Sequence, residues 1–453
     1  MRCLALRDVW RLGIEFKSVA RLALPIMAGL VGQTLMGIAD TLMVGHVGLV
    51  PLASCALVVN LFHLPMVFGF GMLTSVSVFT ASAFGAGDRV QSAYVFRASL
   101  WLSFSLGMVL ACLLLSFVWF LPQLGQPPEV AAAAVDYLWY VAPSLLPLLL
   151  SVSGKQFCES LNRPWVPTLV MLLGVILNIV LNWMLIYGNL GCPEMGLEGA
   201  GLATLLARVW TAVALLAWVF QSHAIAPFRN QGSWWDVRNG TAFWQLVRLG
   251  MPVSVQHVLE MGAFVFAALM VGWIDASSLA AHQIIFTCVS TTFMFSLSIG
   301  QAASVRISQA LGAGLRRRVL HLGWIGLSLS FFLMGCFACF FILQGKTLVS
   351  LFIESDVVRQ TAMPLLLVAA FFQVFDGLQV TAISLLRGMQ DVRVPALVAM
   401  VAYWCVSVPL GYWLAFPMGK GALGIWVGLA MGLALAAFAL TYRFYFKAKR
   451  IPV

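Results

Sequence analysis

Charge is scarce in this chain. Asp, Glu, Lys and Arg make up 9% of its 453 residues, and the acids among them number 16. Soluble domains carry about 25%, so a soluble enzyme is excluded. Histidine is rarer still, with six copies, and no His/Cys spacing of the kind that holds a metal occurs. Cys336 and Cys339 form a Cys-x-x-Cys pair, but they lie in an apolar run and read as small hydrophobes. A phosphate-binding Gly-x-x-x-x-Gly-Lys-Ser/Thr loop is missing, which disfavours an ATP-driven pump. No cofactor is expected. The N-terminal MRCLALRDVWRLGIEFKSVARL lacks the layout of a cleaved signal peptide.

Apolar residues, by contrast, are abundant at 62%. Twelve apolar runs can be counted, the first centred near residue 33 and the last near residue 433. Each is about 20 residues long, enough to cross a hydrocarbon core about 30 Å thick. Backbone in lipid must satisfy its own hydrogen bonds, so the runs are helices. The expected fold is an all-α polytopic membrane protein with twelve transmembrane helices. Of the 26 basic residues, 22 fall in the termini and alternate loops, Arg97, Lys155 and Arg387 included. That bias puts both termini in the cytoplasm, and it explains the net charge of +10 without nucleic acid.

The chain reads as two copies of one unit. RLALPIMAGLVGQTLMGIADTLMV from Arg21 aligns with RLGMPVSVQHVLEMGAFVFAALMV from Arg248, an offset of 227 positions that brings Pro25 onto Pro252. Phe84-Gly85-Ala86-Gly87 meets Leu311-Gly312-Ala313-Gly314 at the same offset, and Val166-Pro167 meets Val394-Pro395 at 228. Six helices per copy is an even number, so both copies have one orientation, with a pseudo-twofold axis along the membrane normal. The expected limits are an N-lobe at 1–220, a cytoplasmic inter-lobe loop at 221–243 with Trp234 and Trp235 at the interface, and a C-lobe at 244–453. Two parallel six-helix bundles point to a transporter that alternates access between its lobes. Pro25 and Pro252 are read as helix starts or as kinks that serve as hinges.

Three acids lie deep in apolar helices: Asp40, Glu260 and Asp376. A carboxylate there is costly unless paired, hydrated or protonated, which makes each a functional candidate. At 1.5 Å per residue from the basic anchors, Glu260 and Asp376 both lie roughly 16–18 Å in, where they can converge on one cation or proton. Gln256 and His257 share a face with Glu260, and Gln373 and Gln379 flank Asp376. Asp40 and Asn182 are both roughly 28 Å in. With Asn178 and Thr204 they form a plausible oxygen cage for Na⁺, or a network around a titrating Asp. The plainer alternative for all of these is a helix–helix hydrogen bond.

Taken in order, these residues resemble the MATE family of multidrug and toxic compound extruders, its NorM branch above all. The resemblance covers nearly the whole chain. It rests on Pro25 with Asp40-Thr41 and Gly45, on Val166-Pro167 with Asn178 and Asn182, and on Gly199 to Thr204. Glu260 and the run Phe375 to Gln379, followed by Leu386-Arg387-Gly388, complete it. It implies paired lobes that export organic cations and drugs across the inner membrane in exchange for Na⁺ or H⁺, as a monomer. The family's C-lobe cation site carries over to Glu260 and Asp376, with Tyr403 beside them, and its N-lobe site to Asp40, Asn178, Asn182 and Thr204. Asp40, Glu260 and Asp376 are thus the Na⁺ candidates. Some relatives have an acid where Asn182 stands, which leaves the ion open. A flippase for a lipid-linked precursor is the alternative. It predicts a basic cavity, yet Arg208 is the lone deep cation. A membrane enzyme would need clustered His or Asp at a helix end, and none occurs.

Overall fold

The computed structural model describes residues 2–123, 125–234, 236–353 and 356–450, with the side chains of 2–12, 14 and 122 left aside. Trp235 therefore lies outside the described residues. The described chain is helical throughout, in the order α1 (Arg2–Gly45), α2 (Leu49–Ala86), α3 (Arg89–Ser116), α4 (Pro128–Val141), α5 (Leu145–Ser160), α6 (Trp165–Tyr187) and α7 (Gly196–Gln221). After a short α8 (Ala226–Arg229) come α9 (Val237–Gly272), α10 (Ala276–Gly312), α11 (Arg316–Ser350), α12 (Asp356–Gly388), α13 (Arg393–Met400), α14 (Val408–Ala415) and α15 (Gly421–Lys449). A π-helical stretch, Val401–Ser407, joins α13 to α14 as one span. Among the described residues, eleven helices are long and apolar enough to cross a membrane, and α4 with α5, bent by 42°, makes the twelfth when counted as one span. Pro143 sits in that bend, where it has no N–H to continue a helix.

The sequence repeat is also a repeat of turns. Gly87 ends α2 at φ 71° and Gly314 follows α10 at φ 70°, so both copies of Gly-Ala-Gly close in the left-handed region that glycine adopts without strain. Asn162 and Gln390, 228 positions apart, are left-handed as well, at φ 62° and 57°.

Contacts divide the chain into two compact units, Ala28–Ser254 (the N-unit) and Met1–Met27 with Val255–Val453 (the C-unit). The two crossing points are 227 positions apart, the offset of the repeat. Each lies shortly after a proline, Pro25 in α1 and Pro252 in α9, and both prolines are inside their helices. Neither begins a helix, so that half of the expectation is set aside. A proline within a helix clashes with the carbonyl four residues back, here Arg21 and Arg248, and weakens the rod at that turn.

In the N-unit, the first part of α9 docks on α2 at backbone distance. A Cβ on Gly71 would stand 2.6 Å from Ser254 Cα, and Ser254 Oγ donates to Phe68 O at 2.8 Å. The segment before α9 is pinned rather than loose. Arg97, buried in α3, donates to the carbonyls of Arg229 (3.2 Å), Gly232 (3.0 Å), Ser233 (3.1 Å) and Gln231. Tyr94 donates to Asp236 at 2.6 Å, which with the Arg238 backbone N–H holds the Asp236 carboxyl below its usual range.

In the C-unit, α12 is the axis, packed against α10, α11 and α15. Small residues let it approach: Cβ atoms on Gly377 and Gly388 would meet Ser296 Oγ and Ser304 O, each at 2.7 Å. The start of α1 is fastened to this unit by Glu15, paired with Arg318 at 2.8 Å. Three basic residues expected in loops, Arg97, Lys155 and Arg387, instead lie buried within α3, α5 and α12.

Candidate functional site

The N-unit cluster draws one helix face from each of α1, α6 and α7. Asn178 and Asn182 lie one turn apart on α6 and are fully buried, and Thr204 on α7 is buried too. Their side chains close a ring with Asp40 of α1. Asn182 Nδ2 donates to Asp40 Oδ1 at 2.5 Å and to Asn178 Oδ1 at 3.3 Å. Asn178 Nδ2 donates to Thr204 Oγ1 at 3.4 Å, and Thr204 Oγ1 donates to Asp40 Oδ2 at 3.4 Å. Asn182 Oδ1 is buried without a hydrogen-bond partner among the described residues, one oxygen fit for a water or a small cation. One turn beyond Thr204, Arg208 donates to Ser144 Oγ at 2.6 Å and stacks 4.6 Å from the Phe62 ring centroid. It is also close enough to act electrostatically on Asp40.

The C-unit cluster is built from α9, α12 and the π-helical stretch. Glu260 Oε1 accepts from Gln256 Nε2, one turn back on α9, at 3.2 Å and from Gln379 Nε2 of α12 at 3.1 Å. Tyr403, buried, donates to Gln379 Oε1 at 2.9 Å, so it orients the amide that holds Glu260. The π-helical geometry that places Tyr403 follows from Pro409, which has no N–H to return to Cys405 O. Asp376 lies three residues before Gln379 on the same face of α12. It is 7% exposed and makes no hydrogen bond among the described residues, although it feels the Glu260 charge. Gln373 accepts from Thr292 Oγ1 at 3.0 Å, and its Nε2 is buried without a partner among the described residues.

Every residue expected at the two sites is therefore brought into one of two clusters: Asp40, Asn178, Asn182 and Thr204 in the first, Glu260, Gln256, Tyr403 and Asp376 in the second. Sequence reasoning missed Arg387. Its guanidinium is buried in α12, with Nη2 3.3 Å from Nε2 of His257, one turn from Glu260. It was read as a cytoplasmic anchor because it ends an apolar run. Glu159 was missed as well, a buried acid 3.8 Å from Lys155 on α5. The i,i+4 spacing of that pair was the available signal.

Described residues that are helical, with eleven or twelve candidate spans and acids gathered inside each unit, fit a polytopic membrane transporter. Comparison with known proteins gives the family. The MatE family model matches residues 25–184 and 252–413, one segment in each sequence repeat, and the chain belongs to that family. It is 34% identical over 444 residues to a probable multidrug resistance protein NorM of Pseudomonas putida, covering 96% of both chains. It is equally identical over 455 residues to a NorM of Mesorhizobium japonicum, covering 98% of this chain and 96% of the relative. Its fold is similar to the outward-facing conformation of a multidrug resistance MATE family transporter, with TM-score 0.88, 20% identity and 96% of each chain covered. It is also similar to the eukaryotic MATE transporter AtDTX14, with TM-score 0.87, 19% identity, and 97% and 98% covered.

Proposed function

We propose that this protein is a multidrug exporter of the inner membrane, with both termini in the cytoplasm, that expels lipophilic organic cations in exchange for Na⁺ or H⁺. The observation that carries the reading is the C-unit pair, in which the Asp376 carboxyl, buried and without a hydrogen bond among the described residues, stands in the field of Glu260. Two carboxylates so placed attract a cation or a proton. The names of the NorM relatives support drugs as the exported class.

Coupling needs only that the entering ion binds the two access states with different affinity. An ion held by Glu260 and Asp376 removes the negative charge that would otherwise attract a cationic drug, and so favours release. Pro25 and Pro252, each near a crossing between the units, are the hinges at which α1 and α9 flex.

The test is efflux of ethidium from reconstituted vesicles under a Na⁺ gradient and a pH gradient imposed separately. One gradient should drive efflux, and Glu260→Gln or Asp376→Asn should lower the driven rate by roughly a hundredfold, the upper range of a coupling free energy. Efflux that ignores both gradients, or that survives both substitutions, overturns the reading.

A further inference from the structure

The two clusters differ in charge, and the arginines make the difference. In the N-unit, one carboxylate, Asp40, shares its surroundings with one guanidinium, Arg208. In the C-unit, two carboxylates, Glu260 and Asp376, share theirs with Arg387, which acts on Glu260. An arginine side chain stays protonated in a protein, so both positive charges are permanent. With its acids ionised, the N-unit cluster is neutral and the C-unit cluster carries one negative charge.

The hydrogen bonds run parallel to the charges. Both Asp40 oxygens are occupied, by Asn182 and Thr204. Glu260 uses one oxygen for two amides, and Asp376 has none of its valences filled among the described residues. Arg387 cannot fill them from where it is held. It lies against His257, and Nε2 of that ring must be the acceptor, since a guanidinium only donates. Its Nε is buried and unpartnered among the described residues. Arg387 thus supplies charge to Glu260 without occupying the Asp376 carboxylate that remains open. The other groups of the cluster are neutral: Gln256 and Gln379 donate to Glu260, His257 accepts from Arg387, and Tyr403 donates to Gln379.

We infer that Arg208 and Arg387 are resident counter-cations that set the coupling ratio, so that the Glu260–Asp376 site takes one monovalent cation per cycle and the Asp40 site takes none. This rests on the exporter reading above. The two arginines are positioning residues that act through the carboxylates rather than by touching the ion.

The experiment counts ions. The full chain is reconstituted in vesicles held at zero membrane potential, and the tetraphenylphosphonium gradient that just balances a tenfold gradient of the driving ion is measured. One-for-one exchange balances at tenfold in the parent, and an added potential leaves that point unmoved. Arg387→Gln leaves the C-unit cluster with two negative charges, and the balance moves to a hundredfold. Arg208→Gln exposes Asp40 as a second site and moves the balance the same way. Arg387→Lys and Arg208→Lys keep the charge and return it to tenfold, which separates counting from misfolding. A parent balance other than tenfold, or a tenfold balance in both glutamine variants, overturns the inference. A parent that moves no tetraphenylphosphonium under either ion gradient overturns the exporter reading itself.

Discussion

The two acidic clusters occupy the same kind of place, a few apolar helices meeting inside one unit, and they solve the cost of a buried carboxylate differently. Around Asp40 the solution is local. Asn182, Asn178 and Thr204 close a ring in which both carboxylate oxygens accept, and Arg208 stands one turn away on α7. Around Glu260 and Asp376 the solution is incomplete, with one carboxylate held by two amides and the other without a hydrogen bond among the described residues. A carboxylate with both oxygens bonded helps to fix the helices it joins, whereas an unbonded one keeps its valences for a ligand. On the proposed reading, an acid in a membrane helix is not by itself a coupling site. What matters is the charge and valence left over once its neighbours are counted.

The comparison breaks most sharply if the arginines are removed. Arg387→Met takes the counter-charge from Glu260 and should cost about 3–5 kcal/mol of stability, the usual result of leaving a buried charge uncompensated. Arg208→Met strands one acid beside a less buried arginine and should cost about 2 kcal/mol. Thermal unfolding in detergent measures both. Adding Glu260→Gln to the first variant and Asp40→Asn to the second should recover most of each loss. Failure to recover would mean that the arginines pack rather than balance charge.

A smaller effect contrasts two glycines. Gly71→Val must push apart α2 and α9 where Ser254 Cα stands 2.6 Å from the added carbon, at about 1–3 kcal/mol. Gly335, with nothing within 4 Å of an added Cβ, should accept alanine and gain up to about 1 kcal/mol of helix propensity. Equal melting shifts for the two would refute the close approach at Gly71.

The smallest effect is at the start of α10. Asp275 accepts from Ser277 Oγ, from Ser278 N–H at 2.7 Å and from Ser278 Oγ, and these bonds pull its carboxyl down to about 2 from 3.8. A depressed carboxyl contributes stability that is whole above pH 3.8 and is lost as the pH falls toward 2. Amide-exchange protection at Ser278 should fade across that window in the parent. In Asp275→Ala it should be low at neutral pH and show no such step.

Much of this was legible before folding was considered. The membrane setting follows from apolar runs, because lipid admits only helices that satisfy their own backbone. The duplication follows from the 227-residue offset, which returns as left-handed turns at Gly87 and Gly314 and as the two crossings between the units. The deep acids, Asp40, Glu260 and Asp376, were visible because a carboxylate in an apolar run has no cheap explanation. Equal depth even anticipated that Asp40 and Asn182 would meet. Arg387 and Lys155 were misread for the opposite reason. A basic residue at the end of an apolar run looks like an interfacial anchor, and one-dimensional order does not reveal whether its helix end is exposed or wrapped by neighbours. That depends on which helices pack there, and the packing is set by glycines such as Gly377 and Gly388 on α12 and their serine partners on α10. Composition and period thus determined the helices, their number and their candidate acids. Only the tertiary structure decided which carboxylates have partners and which permanent charges stand near them, because charge balance is a property of neighbours that lie far apart in the chain.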